Sequence, residues 1–196
     1  MALDDSPSQS DPDPTEDLRP PVHAPQAPTS QAPTTAIHTS APLSHVNAAG
    51  EAHMVDVSGK PPTTREATAE ATLTTREDVI QRIATGDLPK GDVLATARVA
   101  GILAAKRTSD LIPLCHPLPL AGIDIALTPT ATTIQVTATV RTTANTGVEM
   151  EALTAASVAG LTLYDMIKAV DREATVTNIR VTAKSGGRHG TWTRET

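Results

Sequence analysis

The sequence predicts an α+β fold in which helices cover one face of an antiparallel sheet. Segments in which apolar and polar residues alternate, as in half-buried strands, are interrupted by segments with the wider apolar spacing of helices. Their order along the chain is strand, helices, strand, strand, helix, strand, which is that of a ferredoxin-like sandwich. The chain has 196 residues, 39% of them hydrophobic, and is therefore long enough to bury a core.

The first strand is followed by two predicted helices. Alanines and a leucine alternate with polar residues over 67–73, a pattern that favours a strand. Thr74 or Thr75 is predicted to cap a short helix that ends near Gly86, because glycine readily adopts the conformation that closes a helix. A second helix is predicted to begin at residues 91–92, where an aspartate can cap its first turn.

The second half of the chain predicts two strands, one long helix and a last strand. The two strands cover 123–128 and 133–143 and are joined at Pro129. Residues 147–170 read as one helix that is apolar on nearly every side, which is typical of a buried helix. The last strand is predicted over 174–183.

Residues 1–45 differ in composition from the rest of the chain. They contain six acidic residues and one basic residue, which account for −5 of the net charge of −6, and nine of the sixteen prolines. Such a segment cannot bury enough apolar area to offset the entropy of ordering it. The sequence therefore predicts a disordered tail over 1–45 and one catalytic domain over 46–196.

Composition also disfavours several classes of protein. The net charge of −6 opposes non-specific binding to DNA, and the aromatic side chains that stack on single-stranded bases are almost absent. No apolar run approaches the roughly 20 residues of a membrane-spanning helix, and the first residues resemble neither a secretory signal nor a transit peptide. A lone Cys115 cannot form an internal disulfide. We therefore expect a soluble cytoplasmic protein whose partners are neither nucleic acid nor membrane.

Lys90 precedes the predicted start of the second helix. Free backbone N–H groups and the positive end of the helix dipole favour an anion such as phosphate at this place. The alternative is that Lys90 is a solvated loop residue and Asp92 an ordinary helix cap. The local pattern alone favours the second interpretation.

Cys115 and His116 lie together between two prolines. Their adjacency matches neither a zinc-ligand spacing nor a protease signature, and a structural role is favoured for Cys115. His116 is either a hydrogen-bonded core group or a group that transfers protons and binds phosphate. The sequence leaves these two roles of His116 open and indicates no metal site.

Four ionisable residues interrupt the long apolar helix. Glu149 and Glu151 lie near its start, and Asp165 and Lys168 lie near its end. Residues three apart share a helix face, so Asp165 and Lys168 could form an exposed salt bridge worth about 0.2–0.5 kcal/mol. However, a nearly continuous apolar helix leaves little exposed face, and buried ionisable pairs are typical of acid/base sites. The sequence therefore predicts a buried, functional pair.

The segment 184–187, Lys-Ser-Gly-Gly, follows the last predicted strand. Its backbone N–H groups could wrap around an anion, although a glycine pair near a terminus is more often a plain turn. Taken with Lys90, His116 and the Asp165 pair, Lys184 indicates cationic and protonatable groups arranged around an anionic substrate.

Seven segments carry a resemblance to a known family. They are residues 54–58 (MVDVS), 90–98 (KGDVLATAR), 104–108 (AAKRT), 110–117 (DLIPLCHP), 146–154 (TGVEMEALT), 163–166 (LYDM) and 183–187 (AKSGG). In these motifs the chain resembles the cyclic pyranopterin monophosphate synthases, the family of the molybdenum cofactor biosynthesis protein C. The resemblance covers about residues 43–190 and leaves the tail outside.

The resemblance implies an intracellular lyase that acts on a small, nucleotide-derived molecule. Its substrate would be the cyclised dihydro-GTP that a preceding radical enzyme makes from GTP. The enzyme would rebuild the pterin and pyran rings, close a cyclic phosphate and release diphosphate. The resemblance further implies a homohexamer built as a trimer of dimers. It implies no required cofactor and leaves open whether magnesium accompanies the triphosphate.

The resemblance also implies roles for individual residues. It places the catalytic acid/base at Asp165, and it places the substrate beside Leu114, Cys115, His116, Met150 and Glu151. Glu149, on the same polar turn, is also expected to bind the substrate. From their chemistry, Lys168 is expected to partner Asp165 and donate protons. Lys90 and Lys184 are expected to neutralise the triphosphate and the leaving diphosphate. His116 could serve either the phosphates or the ring.

Two other functions, an anion-binding regulatory module and a cysteine hydrolase, each agree with part of the sequence. A regulatory module that binds a small anion would explain the lysines but would leave Asp165 and Lys168 without a purpose. A cysteine hydrolase would use Cys115 with a distant histidine, because His116 is its neighbour on a turn. Changing Cys115 to Ser would abolish the activity of a hydrolase but would only slightly lower the activity of the synthase.

The two polar ends of the long helix suggest a site shared between subunits. Glu151 and Asp165 are separated by fourteen residues, or roughly 21 Å along a helix. Because one compact cavity cannot reach both, an antiparallel copy of the helix is expected to bring Glu151 of one chain near Asp165 of another. Gly160 and its alanine neighbours are expected to permit this close approach.

Overall fold

The computed structural model describes residues 45–47, 49–188 and 190–195. The predicted tail lies outside the described residues except for His45, so its disorder stays a prediction. The helices and strands in chain order are β1 (Thr63–Thr74), α1 (Glu77–Thr85), α2 (Val93–Ala105), α3 (Thr108–Leu111), β2 (Leu120–Pro129), β3 (Thr133–Ala144), α4 (Glu149–Ile167), β4 (Thr175–Ser185) and β5 (Trp192–Thr193).

The five strands form one antiparallel sheet in the order β2-β3-β1-β4-β5. Between β1 and β2 the chain passes through α1, α2 and α3, and between β3 and β4 it passes through α4. The helices pack against the sheet, with α4 against β1, β3 and β4, and α2 against β2 and α4. This arrangement confirms the predicted ferredoxin-like α+β fold.

The core lies between the sheet and the helices α2 and α4. Alternate residues of the two central strands are fully buried and apolar, as the period of two requires: Ala67, Ala69, Ala71 and Leu73 on β1, and Ile134, Val136, Ala138 and Val140 on β3. The residues between them are polar. The Thr68 and Thr139 hydroxyls lie 3.1 Å apart, and Thr72 donates to Gln135 at 3.0 Å.

Small residues bring α4 close to its own sheet and to α2. A Cβ atom at Gly160 would lie 2.9 Å from a Val176 methyl on β4, and one at Gly101 of α2 would lie 3.1 Å from the Ala155 carbonyl. The alanines of α4 that were expected to face another chain are fully buried in this one: Ala152, Ala155, Ala156 and Ala159. The expectation that Gly160 and these alanines admit a second copy of the helix is therefore wrong.

The start of α1 differs from its prediction. Arg76 occupies the cap position and makes no capping bond with its side chain. Thr75 instead donates to the buried Asp171 carboxylate at 2.7 Å, and that carboxylate also accepts from the Arg76 backbone N–H at 3.4 Å. An acceptor from the loop after α4 therefore holds the two residues just before α1, and local sequence could not predict it.

The other predicted elements are present with shifted ends. The second helix is capped by Asp92 as predicted, since its carboxylate accepts from the Ala95 N–H at 2.9 Å. The long helix is shorter than predicted at both ends, and the last long strand continues to Ser185. The short helix α3 and the two-residue strand β5 were not predicted, because neither is long enough to show a periodic pattern.

Candidate active site

A cavity of about 370 Å³ lies at the N-terminal end of α4. It is bounded by the segment before β1, the turn before β2 and the first turn of α4. Its lining comprises His45, Val55, Val57, Lys60, Leu114, Cys115, His116, Leu118, Thr146, Gly147, Glu149, Met150 and Glu151. All five residues that the resemblance places beside the substrate lie on this cavity, and so does Glu149. Sequence reasoning missed His45 and Lys60, which lie in a segment without periodicity.

The turn that carries Cys115 and His116 is set by prolines. Ile112 leaves α3 in an extended conformation, as residues before proline prefer, and the Cys115 N–H donates to its carbonyl at 3.0 Å. The His116 Nε2 atom lies 2.8 Å from the Val55 carbonyl oxygen and donates to it. Burial raises the pKa of the Cys115 thiol, and the nearby Glu151 carboxylate raises it further. A protonated thiol is a poor nucleophile, so the cysteine hydrolase is disfavoured.

The first turn of α4 brings two carboxylates to the cavity. Glu151 is only 4% exposed, and this burial, with a smaller contribution from the Glu149 charge, raises the pKa of its carboxyl group. Glu149 accepts from the Lys184 ammonium on β4 at 2.9 Å. The carboxylates face the cavity from a helix N-terminus, where negative charge is favoured. They offer acceptors for the N–H groups of a bound ring.

A second, smaller cavity of about 100 Å³ adjoins the first at Gly147 and Glu149. Three cationic side chains line it, together with part of the glycine turn after β4: Arg65, Lys184 and Arg188. Gly186 has a φ of 89°, a left-handed conformation that favours glycine. The Glu66 and Glu149 carboxylates also line this cavity, paired with Arg141 and Lys184, and the remaining net positive charge suits an anion. Sequence reasoning found Lys184 but missed both arginines. Arg65 lies within a strand and Arg188 follows the glycine turn, and neither local sequence indicates an anion site.

Arg65 is held in place by backbone groups at the end of β3. Its guanidinium donates to the carbonyls of Ala144 and Asn145 at 3.0 and 3.2 Å. A Cβ atom at Gly187 would collide with this guanidinium, so the second glycine of the turn leaves room for it. The two glycines after Lys184 therefore serve the placement of Arg65 as well as the turn itself.

Lys90, Asp165 and Lys168 meet at the opposite end of α4. Both lysine ammonium groups lie 2.7 Å from the Asp165 carboxylate. The hydrogen bond from Lys168, followed by that from Lys90, lowers the pKa of Asp165 to about 2, and the same pairing raises the pKa of Lys168. At neutral pH the cluster is therefore one carboxylate between two ammonium groups.

This cluster is exposed in the single chain, which contradicts the predicted buried pair. The side chains of Asp165 and Lys168 are 54% and 51% exposed. Leu161, four residues before Asp165, is 60% exposed, so the last turns of α4 have an open face. The apolar sequence did not predict this exposed face, because sequence pattern alone does not distinguish an exposed leucine from a buried one.

The structure separates the predicted site residues into two groups. Glu149, Glu151, His116 and Lys184 belong to the two cavities, whereas Lys90, Asp165 and Lys168 form the cluster at the far end of α4. Fourteen helical residues between Glu151 and Asp165 correspond to roughly 21 Å. Within one chain these two groups cannot contact the same small molecule.

The described part of the chain contains neither a group of side chains suited to a metal ion nor a helix suited to a bilayer. Over residues 45–47, 49–188 and 190–195, no three His, Cys, Asp or Glu side chains are grouped so that they could hold a metal ion. No helix among these residues has the length and apolar character needed to cross a bilayer.

Sequence comparisons identify the family. A model described as the MoaC family matches residues 54–187. The chain is 62% identical over 157 residues to cyclic pyranopterin monophosphate synthase 2 of Mycobacterium tuberculosis. The aligned region covers 80% of this chain and 94% of that protein. It is 58% identical over 150 residues to the synthase of a Roseiflexus species, covering 76% and 95%. For the synthase of Streptomyces coelicolor the identity is 55% over 152 residues, covering 78% and 89%. The chain therefore belongs to the MoaC family.

Proposed function

We propose that the chain is a cyclic pyranopterin monophosphate synthase, a lyase of molybdenum cofactor biosynthesis. It converts (8S)-3',8-cyclo-7,8-dihydroguanosine 5'-triphosphate to cyclic pyranopterin monophosphate and releases diphosphate. Relatives with this name are up to 62% identical to the chain. The observation that carries the proposal is the meeting of Glu151 and His116 in one cavity, with three cationic side chains around the adjoining one. This arrangement suits a polar ring system joined to a triphosphate.

The first cavity holds the ring system. The Glu151 and Glu149 carboxylates accept hydrogen bonds from ring and exocyclic N–H groups, and Met150 contributes an apolar contact. Lys184 leaves its ion pair with Glu149 to meet a phosphate, and the exposed backbone turn after it adds donors. The two cavities therefore bind the two chemically different halves of the substrate.

Closure of the cyclic phosphate requires charge stabilisation. A hydroxyl oxygen of the substrate attacks the α-phosphorus, the bond from that phosphorus to the bridging oxygen breaks, and diphosphate leaves. Negative charge accumulates on the leaving group, and Lys90, Lys184 and Arg65 lower its energy, as cationic groups do in phosphoryl transfer. Magnesium could stabilise the same negative charge on the leaving diphosphate, and none of the steps described depends on it.

Ring rearrangement requires proton transfers. With both lysines bound to it, Asp165 has a pKa of about 2 and is a weak base. When a substrate phosphate draws Lys90 away, the carboxylate loses one of these partners and becomes a better proton acceptor. Lys168, whose pKa is raised by the contact with Asp165, becomes a better proton donor as that contact weakens. The pair thus supplies a base and an acid within 2.7 Å of each other. The resemblance gives Asp165 an acid/base role, and the pairing with Lys168 adds a proton donor to it.

The complete site is assembled from two subunits. The cluster around Asp165 and the cavity around Glu151 lie at opposite ends of α4, so a second chain must supply the missing half. Apolar residues exposed on α2 and α4 offer a surface for such a contact: Val99 at 56%, Leu103 at 51% and Leu161 at 60%. A hexamer built as a trimer of dimers, located in the cytoplasm, is the assembly that the resemblance supports.

The experiment is incubation of the full chain with enzymatically made cyclised dihydro-GTP. Release of diphosphate and of a pterin that becomes fluorescent on oxidation is the expected result. The matched control is Asp165→Asn, which should release neither. If the wild-type chain binds the substrate and forms neither product, the proposed function is wrong. Cys115→Ser should retain most of the turnover, whereas a cysteine hydrolase would lose all of it.

A further inference from the structure

Residues 54–58 lie along the first cavity and contact both of its sides. The Val55 carbonyl accepts from His116 Nε2 at 2.8 Å, on the turn before β2. The Val57 carbonyl accepts from the Asn145 side-chain amide at 3.2 Å, on the loop after β3. The Asp56 carboxylate accepts from the Ser58 N–H at 2.8 Å, which stiffens the segment. This stretch is therefore a fixed part of the cavity, although no helix or strand contains it.

The bond to Val55 determines which ring nitrogen of His116 carries hydrogen. A carbonyl oxygen can only accept, so Nε2 must be the protonated nitrogen. A neutral imidazole has a single N–H group, and Nδ1 is then left with a lone pair. Nδ1 has no hydrogen-bond partner among the described residues, and the ring lines the cavity.

We propose that residues 54–58 are a positioning segment, which holds the neutral form of His116 in the tautomer that leaves the Nδ1 lone pair available to the substrate. In this form His116 accepts a proton or hydrogen bond from a substrate hydroxyl or ring N–H. It does not bind phosphate, because a lone pair repels a phosphate oxygen. Binding to phosphate would need a second proton, at Nδ1. The segment thereby decides between the two roles that the sequence leaves open for His116.

Carboxylates lie on the same cavity as His116, those of Glu149 and Glu151, and the Asp56 carboxylate is also near the ring, whereas the cluster of cations that suits a phosphate lies elsewhere. The cationic side chains around the second cavity, Arg65, Lys184 and Arg188, already provide for an anion. The part of the proposal that concerns the substrate rests on the proposed function. The hydrogen-bonded form of the ring does not, and it can be measured without turnover.

The experiment is ¹⁵N NMR of the full chain with labelled histidines, at about pH 8, well above the ordinary histidine pKa of about 6.5. His116→Gln identifies the signals of this ring. A protonated Nε2 and an unprotonated Nδ1 are expected, and they should persist when GTP is added as a triphosphate probe. A protonated Nδ1 in the free protein, or a doubly protonated ring with GTP, would overturn the proposal.

Asn145→Ala tests whether the segment controls the ring. Loss of the Val57 contact should give a mixture of the two neutral forms and lower kcat about 10-fold to 100-fold with little change in KM, because orientation and not binding is lost. Asn47→Ala is the matched control, since the hydrogen bonds that the structure describes for the Asn47 side chain are to Ala49 and Glu51, within its own turn. Unchanged Nε2 protonation and kcat in Asn145→Ala would reject the positioning role.

A chain lacking residues 1–58 provides a second variant, compared with one lacking residues 1–44. Only the shorter chain should lose the preference for Nε2 protonation, and equal spectra of His116 in both would reject the inference. The two proposals can fail separately. Absence of turnover with Nε2 protonated as expected would reject the proposed function, whereas turnover with Nδ1 protonated would reject the positioning role.

Discussion

The Lys90 ammonium donates to both the carboxylate and the main-chain carbonyl of Asp165, each at 2.7 Å. It joins the loop before α2 to the last turns of α4. Lys184 is likewise paired, with Glu149 at the other end of that helix. Each lysine proposed to bind phosphate is therefore held by a carboxylate, and a phosphate must replace that carboxylate or share the ammonium with it.

Removing either lysine should weaken the transition state. Lys90→Ala and Lys184→Ala are each expected to lose about 2–4 kcal/mol of transition-state stabilisation, or about 30-fold to 1,000-fold in kcat/KM. Asp165→Asn should bind the substrate normally and abolish turnover, because it removes a proton acceptor and not a phosphate contact. Binding measured by calorimetry and turnover by diphosphate release separate these effects. Equal loss of binding in all three variants would contradict the division of roles.

A site shared between subunits predicts complementation. Glu151→Gln and Asp165→Asn are each expected to be inactive. When the two are dissociated, mixed in equal amounts and reassembled, half of randomly formed pairs contain one of each chain. Each such pair regains one intact site of two, so about a quarter of the wild-type activity should return.

Two controls support the mixing experiment. Exchange of differently tagged subunits must be detected, and each variant mixed with itself must stay inactive. If subunits exchange and the mixture still has no activity, Glu151 and Asp165 do not serve one site across an interface.

Glu151→Gln should also change stability with pH. Burial raises the pKa of Glu151, so the folded chain binds its proton more tightly than the unfolded chain does. Below its ordinary pKa of 4.5, Glu151 is protonated in both the folded and the unfolded chain and does not lower the free energy of unfolding. As the pH rises through the higher pKa of the folded chain, the buried carboxylate increasingly lowers the free energy of unfolding. The Tm of the variant should rise relative to wild type as the pH increases above the ordinary pKa of 4.5. A difference in Tm that does not vary with pH would contradict this origin.

Gly160 should be needed for packing within the chain. Gly160→Ala is expected to cost about 1 kcal/mol, because crowding of Val176 outweighs the better helix propensity of alanine. In a Val176→Ala background, which removes the crowding methyl group, the same change should instead stabilise by about 0.5–1 kcal/mol. Urea unfolding measures both effects, and the oligomeric state should not change. An equal effect in the two backgrounds would mean that Gly160 faces something other than Val176.

The tail should be dispensable for turnover. Deleting residues 1–40 is expected to leave activity and Tm unchanged, because the segment is acidic, rich in proline and without apolar periodicity. The assay with cyclised dihydro-GTP and a thermal melt compare the two chains. A clear fall in either quantity would indicate that the tail docks on the folded domain.

Local pattern was sufficient to predict most of the architecture. Alternation over 67–73 placed the central strand, and the apolar run after Gly147 placed the long helix, because both depend on which side of an element is buried. Asp92 was found as a cap since a cap acts within one turn. The resemblance placed Glu151 and His116 beside one substrate, and both side chains line the same cavity.

Only the tertiary structure decided contacts between distant segments. Three contacts join residues far apart in the chain: the bond from Thr75 to Asp171, the guanidinium of Arg65 against the glycine turn, and the bond from His116 to the Val55 carbonyl. The packing of Gly160 on its own sheet is of the same kind. Residue type and spacing report what a side chain can do, whereas its partner depends on how the chain brings remote backbone and side-chain groups within hydrogen-bonding or van der Waals distance.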